Sequence, residues 1–218
     1  FFEDIYVYLL KKSDLLKKFE YKNIINLKYL TKGHRGLLFT GFYNNKKIVI
    51  KTKNPQSTAI GRVENECNWL KKLNKSNIGP KLLIIGKGYF AYKYIDGDFI
   101  IDYLKKSNKN QIKKTVKNIF NQLFILDKLK IDKEEMHHPL KHIIVSENKP
   151  HLIDFERIHY AKNPKNITQF CQFLTSGYLS EILRNKKINI SKTKLIRLAK
   201  IYKKEQDNKN FKKIIEVI

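Results

Sequence analysis

The sequence predicts an α+β protein of two lobes, a small antiparallel β-sheet lobe with one helix (1–95) and a mostly helical lobe (96–218). In the first part, short apolar runs at 46–51, 81–86 and 89–95 are bounded by turn residues, which is typical of strands. Beyond Asp96-Gly97, apolar residues recur at intervals of three and four, which is typical of amphipathic helices. This change in periodicity predicts the boundary between the lobes.

The first lobe contains one predicted helix, within residues 57–74. Ser57 or Thr58 can cap its start, because a side-chain oxygen at that position accepts a hydrogen bond from an unpaired first-turn amide. Gly79-Pro80 prevents the helix from continuing. Its predicted inner face is Val63, Cys67 and Leu70. Between two of the strands, Asn44-Asn45 predicts a hairpin turn.

The second lobe is expected to contain one long helix, a hairpin and two further helices. The hairpin pairs 142–145 with 151–155, and the later helices cover 167–183 and a segment opening at Ser191. The stripe that predicts the long helix is Ile112, Val116, Ile119, Leu123 and Leu126, and the buried face of the last helix is Leu195, Leu198, Ala199 and Tyr202.

Charge is the outlying property of this chain of 218 residues. Its 45 lysines and arginines exceed its 20 acids and give a net charge of +25. Such a surface attracts phosphate backbones, which favours RNA as a partner, although an AT-rich genome or a hot habitat also enriches lysine. The basic segment 184–218 is interpreted either as a phosphate-binding face or as a solvated helical face.

Composition excludes several classes of protein. A hydrophobic fraction of 42% argues against a disordered chain. The absence of a long apolar run argues against a membrane protein, and the acidic first ten residues argue against a signal peptide. Only Cys67 and Cys171 are present, which excludes a disulfide scaffold and favours a reducing, cytoplasmic location.

A lysine and a glutamate in the first lobe are expected to pair. Lys51 ends the apolar strand 48–50, and an ammonium group directed inward needs an anion beside it. Glu66 lies at the edge of the apolar face of the predicted helix, whereas Glu64 has more polar neighbours. We therefore predict that Lys51 pairs with Glu66 rather than with Glu64.

Two further features suggest phosphate chemistry. Gly33 and Gly36 lie between two predicted strands, where they form either a phosphate-binding loop or a plain hairpin turn. Acidic residues crowd 131–142 before the predicted hairpin, and Asp154 follows it; two such carboxylates suit a proton acceptor and a Mg²⁺ ligand. Adjacent His137 and His138 point apart, so a zinc site is not expected.

The motifs in this order resemble a minimal protein-kinase-like fold of the atypical, compact RIO type. KGHRG, NIGPKL, PLKH, IDFER and NITQ are similar to a group first described as predicted Ser/Thr kinases and associated with archaeal RNA kinase, which phosphorylates a 2′-hydroxyl of tRNA. The resemblance extends from about Leu30 to Gln169. It implies ATP and Mg²⁺ as cofactors and a minimal activation segment after Asp154.

The resemblance also implies roles for individual residues. Lys51 would hold the α- and β-phosphates, Glu66 would orient Lys51, and Lys51 and Asp154 would meet around one ATP–magnesium complex. The nucleotide-binding set is Gly33, His34, Arg35, Gly36, Lys51, Glu66 and the hinge residues Lys93 and Ile95.

Glu135 falls at the position of the catalytic acid in the resembling family, and Asp154 falls at that of the metal-binding aspartate. His142 stands in place of a second metal ligand. The catalytic element departs from the family pattern because it reads Lys133-Glu134-Glu135, so Asp132 and Glu134 remain alternative bases.

The predicted function is an ATP-dependent RNA kinase acting on a ribose 2′-hydroxyl of tRNA, with an internal uridine of the variable-loop region implied by the resemblance. The alternatives are a Ser/Thr protein kinase or autophosphorylating ATPase, and an inactive kinase-like RNA-binding module. The short stretch between Asp154 and the helix predicted from Ile167 leaves little room for a peptide platform. The expected partner is tRNA or another structured RNA, with no membrane association, and the expected state is a monomer.

Overall fold

The computed structural model describes residues 23–32, 36–54 and 61–218. These residues form an α+β structure with a five-stranded antiparallel sheet and seven helices. They divide into two compact units. One comprises the described residues up to Asn68 together with Lys81–Tyr94, and the other comprises Trp69–Pro80 and Ile95–Ile218. The segment Trp69–Pro80, placed in the first lobe by the sequence analysis, thus belongs to the second unit.

The first unit is built on the five-stranded sheet, whose spatial order is β1-β2-β3-β5-β4. The three strands expected from compact or alternating apolar runs are all present, and Asn44 and Asn45 form the expected hairpin turn, with φ of 47° and 58°. Both residues take the left-handed conformation that a tight hairpin requires. The strands are β1 (Ile24–Lys32), β2 (Gly36–Tyr43), β3 (Lys46–Lys53), β4 (Leu82–Gly86) and β5 (Tyr89–Lys93).

One face of this sheet carries an apolar cluster that includes Phe39, Ile48 and Ile50. Because side chains alternate along a strand, Val49 and Lys51 of β3 lie on the opposite face. The pairing of β2 with β3 sets Leu38 opposite Lys51 and Phe39 opposite Ile50. The sheet register therefore determines the direction in which Lys51 points.

The predicted helix of the first lobe is observed as α1 (Arg62–Leu73). Its expected inner residues Val63, Cys67 and Leu70 are buried, which confirms the predicted face. The expected capping residues Ser57 and Thr58 lie outside the described residues. After a 3₁₀ turn at Asn74–Ser76, Gly79 has φ of +80° and the chain leaves the helix axis, as predicted.

The second unit is largely helical and is organised around α3 (Lys109–Lys128). All five residues of the predicted stripe on this helix are buried. Its Phe120 meets Phe170 edge to face with ring centroids 5.0 Å apart, and its Phe124 stacks on Phe211 at 4.2 Å. The other helices are α2 (Ile100–Lys106), α4 (Asn166–Leu174), α5 (Gly177–Asn185), α6 (Lys192–Lys204) and α7 (Asn208–Glu216).

The predicted hairpin is present as β8 (Ile143–Ser146) and β9 (Lys149–Leu152), and β8 also pairs with the short strand β6 (Asp98–Phe99). A second pair joins β7 (Ile131–Asp132) to β10 (His159–Tyr160). This pair was not predicted. It connects the loop before the hairpin to the segment after it, and so anchors the start of the predicted acidic loop.

One helical prediction was wrong, and two helices were not predicted. The single helix expected over 167–183 is two helices, because Ser176, between α4 and α5, has an extended backbone with ψ of 148°. Helices α2 and α7 were not expected, and α7 begins at a cap in which Asp207 accepts from the Asn210 amide at 2.7 Å. The Ser191 cap of α6 is confirmed, since its hydroxyl accepts from the Lys194 amide at 3.3 Å. Within the described ranges, none of the helices has the length and apolarity that crossing a bilayer requires.

Candidate functional site

The Lys51–Glu66 ion pair is the main polar feature of the sheet unit. Lys51 Nζ lies 2.5 Å from Glu66 Oε2, and the two side chains are only 12% and 6% exposed. Glu64, on the same helix, is exposed to solvent. The structure confirms the predicted choice of Glu66 as the partner. Strand β3 supplies the ammonium and the first turns of α1 supply the carboxylate.

Gly36 lies directly beside the Lys51 side chain. A Cβ atom at this position would come within 3.1 Å of Lys51 Cε and 3.2 Å of the Thr52 carbonyl oxygen. A side chain here would therefore push against the lysine that the ion pair holds. Gly33, His34 and Arg35, the other residues of the predicted phosphate-binding loop, lie outside the described residues.

Two backbone amides of the predicted hinge donate hydrogen bonds to residues of the sheet unit. The Lys93 amide donates to the Lys81 carbonyl oxygen at 2.9 Å, and the Tyr94 amide donates to the Lys47 carbonyl oxygen at 3.0 Å. Lys93 therefore cannot offer its N–H to an adenine ring without breaking a sheet bond. In the described part of the chain, Ile95 is the hinge residue whose amide has no backbone partner.

In the second unit, Glu135 joins the acidic loop to the segment after the hairpin. Its Oε1 accepts from Arg157 Nη1 at 2.5 Å, and its Oε2 lies 3.1 Å from His142 Nε2. Glu135 has φ of +72°, a left-handed conformation that is uncommon for a glutamate and that turns the loop toward these two partners. Both carboxylate oxygens of Glu135 are thus engaged.

His142 is held as a neutral imidazole. Burial lowers its pKa, and the nearby Lys133 ammonium acts in the same direction. The carboxylates of Asp154 and Glu135 raise the pKa and only partly offset this shift. A neutral ring that donates from Nε2 to Glu135 leaves Nδ1 unprotonated. This Nδ1 is buried and has no hydrogen-bond partner among the described residues.

Lys133 connects the acidic loop to Asp154. The Lys133 side chain is buried, and its Nζ donates to the Asp154 carbonyl oxygen at 2.7 Å and lies 4.9 Å above the Phe155 ring. Asp154 has φ of +60° and is exposed. The expectation that the hairpin brings the acidic loop and Asp154 close together is confirmed, with Lys133 as the contact.

The three candidate bases differ in their surroundings. Asp132 is buried, and its Oδ2 accepts from the Lys165 amide at 2.9 Å, so it holds the chain before α4. Glu134 is exposed at the surface, with Oε1 3.6 Å from His159 Nδ1. Glu135 is 36% exposed and bound to Arg157 and His142. Asp132 therefore has a structural role, and Glu134 and Glu135 are the two carboxylates near solvent.

A network of buried hydrogen bonds holds the acidic loop in place. Asn166 Oδ1 accepts from the Lys133 amide at 2.7 Å, and its Nδ2 donates to the Ile131 carbonyl oxygen and to Asp127. Tyr202 donates its hydroxyl to Asp127 at 2.9 Å. Burial raises the pKa of Asp127 to about 7, although these hydrogen bonds lower it.

Three residues of this site were not predicted from the sequence, namely Lys133, Arg157 and Asn166. Arg157 had a visible signal, because it completes the IDFER motif beside Asp154. Asn166 had a weaker one, because its position at the start of α4 is where polar side chains commonly serve as caps. No sequence signal indicated a role for Lys133, since a lysine is rarely buried and its contact is with a backbone carbonyl.

In the second unit, Asp154 and Glu156 have carboxylate oxygens within 4.8 Å of one another, close enough to hold one metal ion. The exposed Asp154 carboxylate is an oxygen ligand of the kind Mg²⁺ prefers. The bare Nδ1 of His142 is a nitrogen ligand, which suits transition metals better than magnesium. The donor set therefore fits Mg²⁺ at Asp154, while His142 is better suited to orient Glu135.

No family model matches the chain. The chain is 31% identical over 115 residues to the uncharacterized protein MJ1211 of Methanocaldococcus jannaschii, and the alignment covers 98% of that protein and 51% of this chain. The alignment extends over nearly the whole of the archaeal protein, and the chain therefore belongs to the same family as MJ1211.

Proposed function

We propose that the protein is an ATP-dependent RNA kinase that transfers a phosphoryl group to a ribose 2′-hydroxyl of structured RNA, with tRNA as the first candidate. The observation that carries this proposal is the Lys51–Glu66 ion pair, buried on the sheet beside Gly36. A lysine fixed in this way by a carboxylate is suited to binding nucleotide phosphates, because its position is set before the nucleotide arrives.

The residues of the sheet unit would bind the nucleotide. Lys51 supplies a positive charge to phosphate oxygens, and Glu66 keeps the ammonium in place. Gly36 leaves the approach to Lys51 open, because no Cβ fills the space above its side chain. In the second unit, the Ile95 amide would be the hinge donor to an adenine ring.

The residues of the second unit would act on the acceptor hydroxyl. The hydroxyl oxygen forms a bond to the γ-phosphorus, the bond to the ADP oxygen breaks, and the hydroxyl proton passes to Glu135. Arg157, whose side chain is 50% exposed, can release Glu135 Oε1 for this step, while His142 keeps the carboxylate oriented. Asp154 would hold Mg²⁺, which when bound neutralises charge on the transferring group.

RNA is favoured over protein as the acceptor by the net charge and by the short segment between Asp154 and α4. The net charge of +25 favours a polyanion, because lysines that neutralise phosphates release counterions. The segment between Asp154 and α4 is short and is tied back through β10 to β7, so it provides little platform for an extended peptide. A tRNA acceptor implies a cytoplasmic location.

A second candidate is a kinase-like RNA-binding module without phosphoryl transfer. It is favoured by one observation, namely that both oxygens of Glu135 are already paired with Arg157 and His142. A carboxylate held in this way is a weak proton acceptor unless one of its partners moves. This candidate predicts RNA binding without labelling.

Incubation with γ-labelled ATP and either bulk tRNA or a mixture of proteins tests the proposal. We expect label in tRNA. The phosphodiester bond on the 3′ side of the labelled nucleotide should resist alkaline cleavage, because the 2′-oxygen that would attack it carries the new phosphate. Lys51→Ala and Asp154→Ala should each abolish labelling, whereas Lys53→Ala, which removes an exposed lysine from the same strand, should not. Label confined to protein would assign the protein-kinase alternative. RNA binding with no label would assign the inactive module.

A further inference from the structure

Tyr160 presents an aromatic ring to solvent at a fixed position. It is 62% exposed, the largest exposed fraction among the large apolar side chains in the described ranges. Its backbone is nonetheless anchored, because His159 pairs with Asp132, Tyr160 pairs with Ile131, and the following amide donates to the Lys130 carbonyl oxygen at 2.9 Å. The exposed ring is therefore carried by an ordered strand rather than by a free loop.

Side-chain contacts also hold the ring. Trp69 lies with its ring centroid 4.9 Å from that of Tyr160, at an interplanar angle of 60°. Lys72 Nζ lies 5.4 Å from the Tyr160 centroid and 4.8 Å from that of Trp69. Since Trp69 itself is buried, it fixes the orientation of Tyr160 and leaves the rest of the tyrosine ring open. A rigid ring beside a cation is a surface on which planar bases stack.

The strand that carries the ring also pairs with the start of the acidic loop. His159, the residue before Tyr160, has its Nδ1 3.6 Å from Glu134 Oε1, and Glu135 follows Glu134 in the chain. Exposed lysines surround the same strand, namely Lys72, Lys130 and Lys162. Side chains of neighbouring strand residues point to opposite faces, so the Tyr160 ring and the His159–Glu134 contact lie on different sides of the strand. An unpaired base on Tyr160 would place its own phosphates near these lysines.

We propose that Tyr160 is a stacking platform for an unpaired nucleobase of the RNA. This inference rests on the proposed function and deepens it, because it assigns single-stranded rather than helical RNA to the acceptor side. Bases in a duplex are stacked on one another and cannot lie on a protein ring, whereas bases in loops and bulges can. The acceptor would therefore be a nucleotide in, or next to, an unpaired region.

The chain provides its own reporter for this site, because Trp69 is its single tryptophan. Titration of the full chain with a single-stranded oligouridylate, without ATP, should give a saturable change in Trp69 fluorescence. The affinity is measured in parallel from the anisotropy of a labelled oligouridylate. We expect Tyr160→Ala to weaken binding about tenfold or more. The salt dependence of binding should be unchanged, because stacking releases no counterions.

Two variants provide controls. Tyr160→Phe keeps the ring and should bind as the wild type does. Tyr178→Ala removes a tyrosine that is also exposed, at 55%, and also lies near a lysine, with Lys105 Nζ 5.8 Å from its ring centroid. We expect no loss of affinity from this variant. Melting curves of the three variants show whether each one is folded.

Three results would overturn the inference. The first is that Tyr160→Ala binds the oligouridylate as tightly as the wild type does. The second is that the affinity for a blunt RNA duplex of the same length depends on Tyr160 equally. The third is that the affinity for an acidic peptide depends on Tyr160 equally, which would assign a protein partner. Because no ATP is present, failure here is distinct from failure of the kinase proposal, which is judged by phosphoryl transfer alone.

Discussion

Lys51 and Glu66 form an ion pair of 2.5 Å between a strand and a helix, and neither side chain is more than 12% exposed. Taking two charges out of water costs free energy that their attraction only roughly offsets, so a buried pair of this kind adds little net stability. Removing one partner is different, because the remaining charge stays buried and loses the ion pair. The pair is therefore better explained by what its ammonium group does than by stabilisation.

The first prediction separates these two roles of the pair. Lys51→Met should lower the free energy of unfolding by about 3–5 kcal/mol, because Glu66 loses its partner. The double variant Lys51→Met/Glu66→Leu should recover most of that loss, since neither charge then remains. Phosphoryl transfer should fall at least about 100-fold in both variants, because the charge on the nucleotide is no longer neutralised. Unfolding in urea and labelling of tRNA measure the two effects.

Glu64→Gln provides the matched control for this prediction. Glu64 lies on the same helix but is exposed, so its substitution should change neither stability nor labelling. A double variant that is stable and still transfers phosphate at the wild-type rate would refute the assigned role of Lys51.

The second prediction concerns the choice of base. Glu135→Gln should reduce the rate of phosphoryl transfer by about 10²- to 10⁴-fold, the range expected for loss of a general base. The melting temperature should change little, because the Glu135 side chain is at the surface. Asp132→Asn should behave in the opposite way, with lower thermal stability and a smaller loss of rate, because Asp132 is buried and bound to the Lys165 amide.

Glu134→Gln is the comparison for Glu135→Gln, since Glu134 is its exposed neighbour and lies near His159. We expect its rate to stay within a few fold of the wild type. If Glu134→Gln instead carries the large loss, the base is Glu134, and the Glu135–Arg157 pair has a positioning role.

Local rules account for the parts of the structure that were predicted correctly. The long helix α3 and the hairpin of β8 and β9 follow from apolar periodicity within single segments. The Lys51–Glu66 pair was also predictable, because a lysine at the end of an apolar strand and a glutamate at an apolar helix edge each need a partner. In both cases the information lies within a short stretch of sequence.

The missed features depend on contacts between distant segments. Tyr160 pairs with Ile131, and Asn166 bonds the Lys133 amide, yet neither partner can be read from the neighbouring sequence. The break between α4 and α5 was missed for a different reason. Apolar residues continue on both sides of Ser176, so the apolar periodicity runs through the point where its extended backbone separates the two helices.

The third prediction concerns two glycines with nearly the same positive φ angle. Gly79 and Gly88 have φ of +80° and +79°, so an alanine at either position costs about 1 kcal/mol of conformational strain. A Cβ at Gly79 would also lie 2.7 Å from Leu70 Cδ1 and 2.8 Å from Phe155 Cε2, whereas at Gly88 it would meet nothing within 4 Å. Gly79→Ala should therefore be about 1–3 kcal/mol less stable than Gly88→Ala.

Urea unfolding followed by circular dichroism measures this difference. Gly177→Ala is a further control, because Gly177 lies in the same unit as Gly79 and a Cβ there also meets no atom within 4 Å. Equal destabilisation by Gly79→Ala and Gly88→Ala would show that Leu70 and Phe155 do not pack closely against this turn.

The fourth prediction is a pH dependence of stability that arises from Asp127. Burial raises its pKa from 3.8 to about 7, so the folded protein binds a proton that the unfolded chain releases above about pH 4. The stabilising contribution is therefore complete below pH 3.8 and declines as the pH rises toward 7. Between pH 5 and pH 8 it should amount to a loss of about 3 kcal/mol.

Asp127→Asn isolates this contribution, because an amide does not titrate. Its free energy of unfolding should vary less with pH than that of the wild type, so the difference between the two proteins should shift by about 3 kcal/mol in favour of the wild type as the pH falls from 8 to 5. The measurement is urea unfolding of both proteins at several pH values. His142, whose lowered pKa acts in the opposite direction, is present in both proteins and cancels in the difference. Parallel curves would show that Asp127 is ionised in the folded protein at pH 5, held so by Asn166 and Tyr202.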